Sequence, residues 1–545
     1  MSSDDANSAA ETEATETRTV AETLVACLER EGVEHVFGLP GEELEDLLFA
    51  LRDSDVTFVP VRHEQGAAFM ADVHGRLTGD AGVCLGTLGP GATNLLTGVA
   101  DAQLDKAPLV ALTGQGSLER VHKESHQMLN VPHVFEPVVK WNTTISDPQI
   151  VAESVRKAFK LAEAEKPGAT HLEVPEDVAA SETTVEPLPQ RERVRLPDPD
   201  DRSVARAAVV LDEAKRPLVL AGNGTVRAEA ANSLREFVEA TGMPVVETYM
   251  GKSAISDEDE HSLLTLNSGD GATADAVARA DAILAVGYDI AEHDPESWNP
   301  EKDKHVLHLD SEPAEVYEHY DPEVEIVADV ERGLDALAEA APDCAGDSDW
   351  YADAREAAIS AATRRPDADD SFSVRGTVPH LRDAMADEDV LITDVGSHKM
   401  TLSKYFPTVE PNTFVVSNGL ASMGIAVPGA VAADLAVPAN VVAATGDGGF
   451  LMNGAELETA RRLGCGFTVV LFCDDDYGLI SEKQTDHRGE SFGTYIDNPD
   501  FVKLGESFGL ETYNPTDWND LAAALDEAVP SDDLSLVVVD IPRDA

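Results

Sequence analysis

Hydrophobic residues along this 545-residue chain fall into short runs, and between the runs apolar positions recur at helical spacing. Val36-Phe-Gly, Thr57–Val61, Gly82–Leu85 and Pro108–Thr113 read as buried strands, each bounded by Gly, Pro or polar residues. Ala21–Glu31 and the segments opened by Leu39-Pro-Gly-Glu42 and by Arg62-His-Glu read as the helices between them. Proline and charge from Pro187 to Arg202 mark a linker. A second block then supplies strands at Pro217–Ala221, Pro244–Glu247, Ala282–Val286 and Val306–Leu309, whose ends are rich in Gly and Asp. A polar connection, Asp343–Phe372, carries one helix around Trp350–Ala362 and leads to strands at Val390–Thr393, Asn440–Ala444 and Phe467–Phe472. The pattern predicts an α/β chain of three doubly wound, mostly parallel-sheet domains at residues 19–186, 203–341 and 373–545. Residues 1–18 are acidic, polar and rich in Ala and Thr, and are expected to be a disordered tail rather than a signal. Gly419–Thr445 is the most membrane-like stretch. Pro428, Gly429, Asp434, Pro438 and Asn440 interrupt it, so it is read as a buried helix followed by a strand, with no membrane partner.

Charge narrows the partners. With 102 acidic against 40 basic residues the chain carries a net charge of −62, which repels a phosphate backbone and excludes nucleic acid. The acid is dispersed among periodic apolar positions, as on a solvated surface suited to high salt, where self-repulsion is screened. Five cysteines (Cys27, Cys84, Cys344, Cys465 and Cys473) show no paired spacing, which fits a reducing cytoplasm.

Candidate chemistry lies in the third block. The strand Asn440–Ala444 ends at Gly446-Asp447-Gly448-Gly449, helical character follows from Glu456 to Leu463, and Phe467–Phe472 ends at Cys473-Asp474-Asp475-Asp476. Asp447 and Asp474, 27 residues apart, therefore stand at the C-terminal ends of two strands of one βαβ unit. Carboxylates there suit a divalent cation, and the glycine amides and helix dipole suit a diphosphate. Glu64 lies at another strand end, followed by Ala67, Ala68 and Phe69, and taken alone reads as a helix-start glutamate favoured by the dipole.

This pair of acidic clusters resembles the diphosphate-and-magnesium motif of thiamine diphosphate enzymes, with Cys473-Asp474 where Asn-Asn is commoner. Arg62-His-Glu-Gln-Gly-Ala-Ala-Phe-Met-Ala-Asp72 with Gly89-Pro-Gly-Ala-Thr-Asn94 resembles the pyrimidine-binding domain of acetolactate synthases, and the resemblance runs from about Thr19 to Arg543. It implies that Asp447 and Asp474 give side-chain oxygens, and Asp476 a backbone carbonyl, to Mg2+. Gly446, Gly448, Gly449 and the loop Val395-Gly396-Ser397-His398 would hold the diphosphate. Glu64 would face the aminopyrimidine, with Pro40, Pro90 and Asn94 beside the cofactor. In Asn418–Gly424, Met423 would wedge the cofactor and the Ala421 carbonyl would receive its amino group, while Leu479 and Ile480 would wall the thiazolium. Gln127 and Lys140 are implied near the second substrate. His126 reads either as a proton shuttle or as a structural histidine.

The resemblance implies 2-oxo acid substrates, a homodimer or tetramer with its active site across the interface, and room for a regulatory subunit. The implied reaction decarboxylates pyruvate and joins the two-carbon unit to a second pyruvate, giving 2-acetolactate. Another thiamine diphosphate-dependent carboligase, a decarboxylase or a pyruvate oxidase is the alternative. His126-Gln127, where FAD-containing biosynthetic enzymes have Phe-Gln, and Gly287-Tyr-Asp-Ile-Ala-Glu-His-Asp resemble the catabolic, FAD-independent type. FAD is possible on this scaffold, but both segments weigh against it. Glu42 and Glu482 depart from the family pattern near the substrate.

Overall fold

A computed structural model describes residues 17–266, 271–340 and 350–542. The tail at residues 1–16, Cys344 and the start of the Asp343–Phe372 connection lie outside the described residues. Arg18, expected in the tail, instead pairs antiparallel with Thr183 at the far end of the first domain. Thr19 then caps the helix Val20–Glu31 reciprocally with Glu22, which fixes where that helix starts.

Each domain is built on a six-stranded sheet. The first contains His35–Gly38, Thr57–Pro60, Gly82–Gly86, Leu109–Gln115, Trp141–Thr144 and Ala169–Pro175, all parallel. Counted along the chain, they lie side by side in the order second, first, third, fourth, sixth, fifth. The third domain repeats that order with Val390–Thr393, Phe414–Val416, Val441–Gly446, Thr468–Cys473, Glu511–Tyr513 and Ser535–Asp540. The central domain differs: its strands run third, second, first, fourth, fifth, sixth, the order of a doubly wound dinucleotide fold. The inner strands are almost wholly buried, because helices cover both faces of a parallel sheet, while edge strands such as Trp141–Thr144 and Glu511–Tyr513 are part-exposed.

One apolar cluster joins the first and third domains. Phe69, Met70 and Val73, from the helix Glu64–Thr78, share it with Val427, Ala430 and Ala433 of the helix Ala426–Ala436. At Gly429 a Cβ would sit 2.9 Å from Val73, so the missing side chain is what lets the two helices approach this closely. The membrane-like stretch is thus an interdomain core helix, and none of the described helices is long and apolar enough to cross a membrane.

The linker is shorter than the composition predicts. The helix Asp201–Glu213 begins before Ser203, capped by Asp200. Upstream of it Arg191 ties the linker to Glu31 and Glu163.

Candidate active site

Three helices start at the C-terminal ends of three neighbouring strands of the third sheet. Ser397–Tyr405 follows Val390–Thr393, Asp447–Asn453 follows Val441–Gly446, and Gly478–Arg488 follows Thr468–Cys473. No N-cap side chain caps any of the three, and of their first-turn amides Gly448 alone is met by a side chain, donating to Asp447 at 2.7 Å. Their first N–H groups and positive dipole ends are therefore offered to a ligand at one sheet edge. The helix after Gly446 begins at Asp447, earlier than the sequence pattern predicts, so Gly448 and Gly449 lie in its first turn. A Cβ at Gly448 would be 2.7 Å from Tyr477 and one at Gly449 2.9 Å from Asp394, which explains the residue type at both positions.

His398 closes this cradle. Its ring is buried, stands 3.3 Å from where a Cβ on Gly446 would be, and leaves Nε2 without a partner. Burial pulls its pKa down to about 4, so the imidazole is neutral, with its one N–H given to the Asp394 carbonyl. Val395 donates its N–H to Asp394 at 2.7 Å, and Asp394 also accepts from Gly424 at 2.8 Å, just beyond Met423. The Met423 methyl lies 3.6 Å from a Cβ placed on Gly448, against the Asp447 helix, and Ala421 takes a left-handed φ of 55°. Met423 and the loop after Asp394 are thus brought together at the Asp447 helix. Leu479 is half-buried and Ile480 exposed, on a helix without a single buried residue.

The acidic cluster is arranged differently from the implied trio. Asp447 accepts from the N–H of Asp474 at 3.2 Å, of Asp475 at 2.8 Å, and from Asn498 Nδ2 at 2.7 Å. Asp475, in a left-handed turn with φ 55°, brings its carboxylate within 4.8 Å of Asp447 and the Cys473 thiol. Asp474 turns the other way. Its Oδ1 accepts from the Asp476 N–H at 3.2 Å and its Oδ2 faces Gly478. Asp475 and Asn498 escaped the sequence reading. Asp475 is masked within a run of three aspartates, and Asn498 sits in a loop with no motif of its own.

Burial and the nearby Asp447 and Asp476 push Asp474 up to about 6, and burial raises Asp447 as well. Such crowding favours a bound divalent cation, since its charge would relieve the repulsion. Burial also pushes the Cys473 thiol upward, which leaves oxygen donors and a hard cation as the better match. Glycines that cannot carry a side chain and oxygen donors at a crowded acidic edge fit a magnesium diphosphate group.

Glu64 begins the helix Glu64–Thr78 and is 4% exposed. Its Oε2 accepts from Asn94 Nδ2 at 2.9 Å, and its Oε1 lies 3.3 Å from a Cβ placed on Gly91, beside Pro90. Gln127, left-handed at φ 55°, packs its backbone on Gly89, so it reaches the same turn; His126 next to it is exposed. Pro40 is exposed at the end of its strand, and Gly41 abuts Thr87 on the loop leading to Pro90. Of the two departures, Glu42 and Glu482 are both exposed.

Lys140 is not brought to this group. Its ammonium donates to the carbonyls of Ala164 and Lys166, both at 2.7 Å, just beyond the helix Val151–Glu163. Lys140 thus caps the end of that helix, where the family resemblance implied a contact with the second substrate. Glu456 was missed altogether. It is 1% exposed and accepts the N–H groups of Arg62 at 3.0 Å and His63 at 3.1 Å, tying the helical run that opens at Asp447 to the segment carrying Glu64.

Comparison with known proteins agrees with this geometry. Residues 18–134 match the N-terminal TPP binding domain of thiamine pyrophosphate enzymes, 204–337 the central domain, and 394–540 the C-terminal TPP binding domain. An acetolactate synthase of Bacillus subtilis is 33% identical over 96% of this chain and 93% of its own. The large subunit of acetolactate synthase isozyme 2 of Escherichia coli is 32% identical over 96% and 95%. A catabolic acetolactate synthase of Raoultella terrigena is 30% identical over 96% and 95%. With all three domains matched in order and relatives aligned nearly end to end, the chain belongs to the thiamine pyrophosphate enzymes, in their acetolactate synthase family.

Proposed function

We propose that this protein is an acetolactate synthase that converts two pyruvate molecules and one proton into 2-acetolactate and carbon dioxide. The observation that carries the reading is the meeting of three uncapped helix starts, at Ser397, Asp447 and Gly478, beside buried, neutral His398 and the Asp447 cluster. Thiamine diphosphate bound there would supply the electron sink that decarboxylation of a 2-oxo acid requires. The amides of Ser397, His398 and Gly449 would hold its diphosphate, and Asp447 would hold the Mg2+ together with Asp474, whose carboxylate would turn from Gly478 toward the Asp447–Asp475 pair. Ala421 and Met423 would set its conformation, and Leu479 and Ile480 would keep water from the reacting face. Glu64, oriented by Asn94, would hold and return a proton at the aminopyrimidine.

A second copy of the chain supports the site. Leu451 and Met452 on the Asp447 helix, Ile480 on the next and Leu420 beside Ala421 are all exposed. Glu64 keeps its contacts with Asn94 and the Gly91 turn, apart from the Asp447 group. A homodimer would cover the apolar residues and bring Glu64 of one protomer to the Asp447 edge of the other. Relatives named as large subunits leave room for a regulatory partner. The four described cysteines are free thiols, in keeping with the cytoplasm.

We read the enzyme as FAD-independent. At the turn where a dinucleotide fold offers its first amides to a pyrophosphate, both oxygens of Glu292 accept the N–H of Asn223 at 3.1 Å. Glu292 also takes the Asp289 N–H and the Thr248 hydroxyl, so the segment 287–293 fills that turn from within. The function is tested by incubating the purified protein with pyruvate, Mg2+ and thiamine diphosphate in molar salt and converting the product to acetoin. Acetaldehyde as the only product would make it a decarboxylase, and a flavin spectrum would reverse the FAD reading.

A further inference from the structure

Three carboxylates of the first domain, Asp72, Asp101 and Asp105, converge on one guanidinium. Arg76 donates to Asp72 at 2.7 Å, to Asp101 at 3.2 Å and to Asp105 at 2.9 Å, and all three acids are buried. One guanidinium cannot meet every oxygen of three carboxylates. The surplus acceptor oxygens are instead directed into the third domain.

Asp105 stands at the end of the helix Pro90–Leu104. Its Oδ2 accepts from the Asn418 N–H at 3.0 Å and its Oδ1 from the Gly419 N–H. Asp101, one turn earlier, accepts from the Ser417 hydroxyl at 2.7 Å, and that hydroxyl oxygen accepts the Ser422 N–H at 3.2 Å. Arg76 donates to the Val416 carbonyl at 2.7 Å. Lys399, next to His398, donates to the Ser417 carbonyl at 2.7 Å and to Asn418 Oδ1 at 2.9 Å. From the central domain, the carbonyls of Ala291 and Glu292 accept the Asn418 amide. Every domain thus holds one stretch, Val416–Ser422, and that stretch leads into Ala421 and Met423.

We propose that Asp105, seconded by Asp101 through Ser417, is a positioning residue that fixes the left-handed turn at Ala421 and so shapes the cofactor pocket from another domain. The inference rests on the assignment of Ala421 and Met423 to the cofactor. Both Asp105 oxygens must act as acceptors, because each faces a backbone N–H. An asparagine there would set its own N–H groups against one of those donors. The same helix carries Asn94 near its start and Asp105 at its end, so one rigid element adjusts both Glu64 and the Ala421 turn.

The test measures thiamine diphosphate binding to the full-length protein with Mg2+ by equilibrium dialysis, alongside the near-ultraviolet circular dichroism of the bound cofactor. Asp105→Asn and Ser417→Ala are each expected to raise the half-saturating concentration about tenfold and to change the dichroic band, with far-ultraviolet signal intact. Asp72→Asn disturbs the same ion cluster without touching the stretch, and is expected to bind like the native protein. If Asp105→Asn does not fold, Ser417→Ala decides. Native binding by Asp105→Asn and Ser417→Ala, with weakened binding by Met423→Ala, overturns the positioning role alone, as does Asp72→Asn weakening equally. Native binding by Met423→Ala as well overturns the cofactor assignment on which the role depends.

Discussion

The carboxylate of Glu456 accepts the backbone N–H of His63 at 3.1 Å, across 393 residues of chain. It also accepts from Arg62 and from the Thr459 hydroxyl, so one buried acid fastens the helical run that opens at Asp447 to the entry of the Glu64 helix. Burial raises its pKa, and the amide donors hold against that. Glu456→Ala leaves those donors facing no acceptor, at a loss of about 3 kcal/mol. A thermal scan should show a midpoint several degrees lower, and Glu456→Gln, which keeps one oxygen, should fall between the two.

Glu64→Gln removes the carboxylate proposed to handle the proton while keeping a side chain of the same size beside Asn94. Steady-state assays should show kcat lowered about 10²-fold or more, with cofactor affinity reduced far less. An unchanged kcat would move the proton chemistry elsewhere.

Lys140 makes the opposite prediction. Because its ammonium caps the Ala164 and Lys166 carbonyls, Lys140→Met should lower the melting midpoint, by about 1–2 kcal/mol of stability. Its kcat/KM for pyruvate should match the native value. A selective rise in KM would restore the substrate contact implied by family resemblance.

His171 sets an acid limit on stability. The ring is fully buried, stacked on Phe135 at 4.1 Å and hydrogen-bonded to Thr113, and burial lowers its pKa from 6.5 to about 3. Below pH 6.5 the unfolded chain takes up the proton first, so stability is full above 6.5, falls as the pH drops, and stops falling near 3. The loss is at most about 5 kcal/mol. Melting midpoints recorded from neutral pH downwards should fall less steeply for His171→Phe than for the native protein.

A net charge of −62 should make stability depend on salt. Raising the salt from about 0.1 M to about 2 M shortens the screening length to a few ångströms and should raise the melting midpoint and the activity together. An unchanged midpoint would remove high salt from the picture.

Several parts of the site could be read along the chain because they depend on local backbone geometry. Gly446-Asp447-Gly448-Gly449 declares a strand end and a helix start wherever it folds, and the run after Thr468–Cys473 declares a second acidic edge. Which aspartate of Asp474-Asp475-Asp476 faces Asp447 was not legible. It depends on the left-handed φ at Asp475 and on Asn498 arriving from a later loop. The place of Lys140 was not legible either, because a lysine just before a strand has the same sequence whether its ammonium meets a substrate or the carbonyls at a helix end.

Alternation of apolar runs and helical spacing was by itself enough to determine three α/β domains, because the burial pattern of a strand or a helix is written in residues close together along the chain. Tertiary structure alone decided that the outer sheets share one strand order and the central sheet has another. It alone decided, too, that Glu456 would reach His63 and Asp105 would reach Gly419. Those choices belong to pairs hundreds of residues apart, and a buried carboxylate takes whichever amides the packing of its helices sets before it. Neither partner carries a mark of that in its own neighbourhood of sequence.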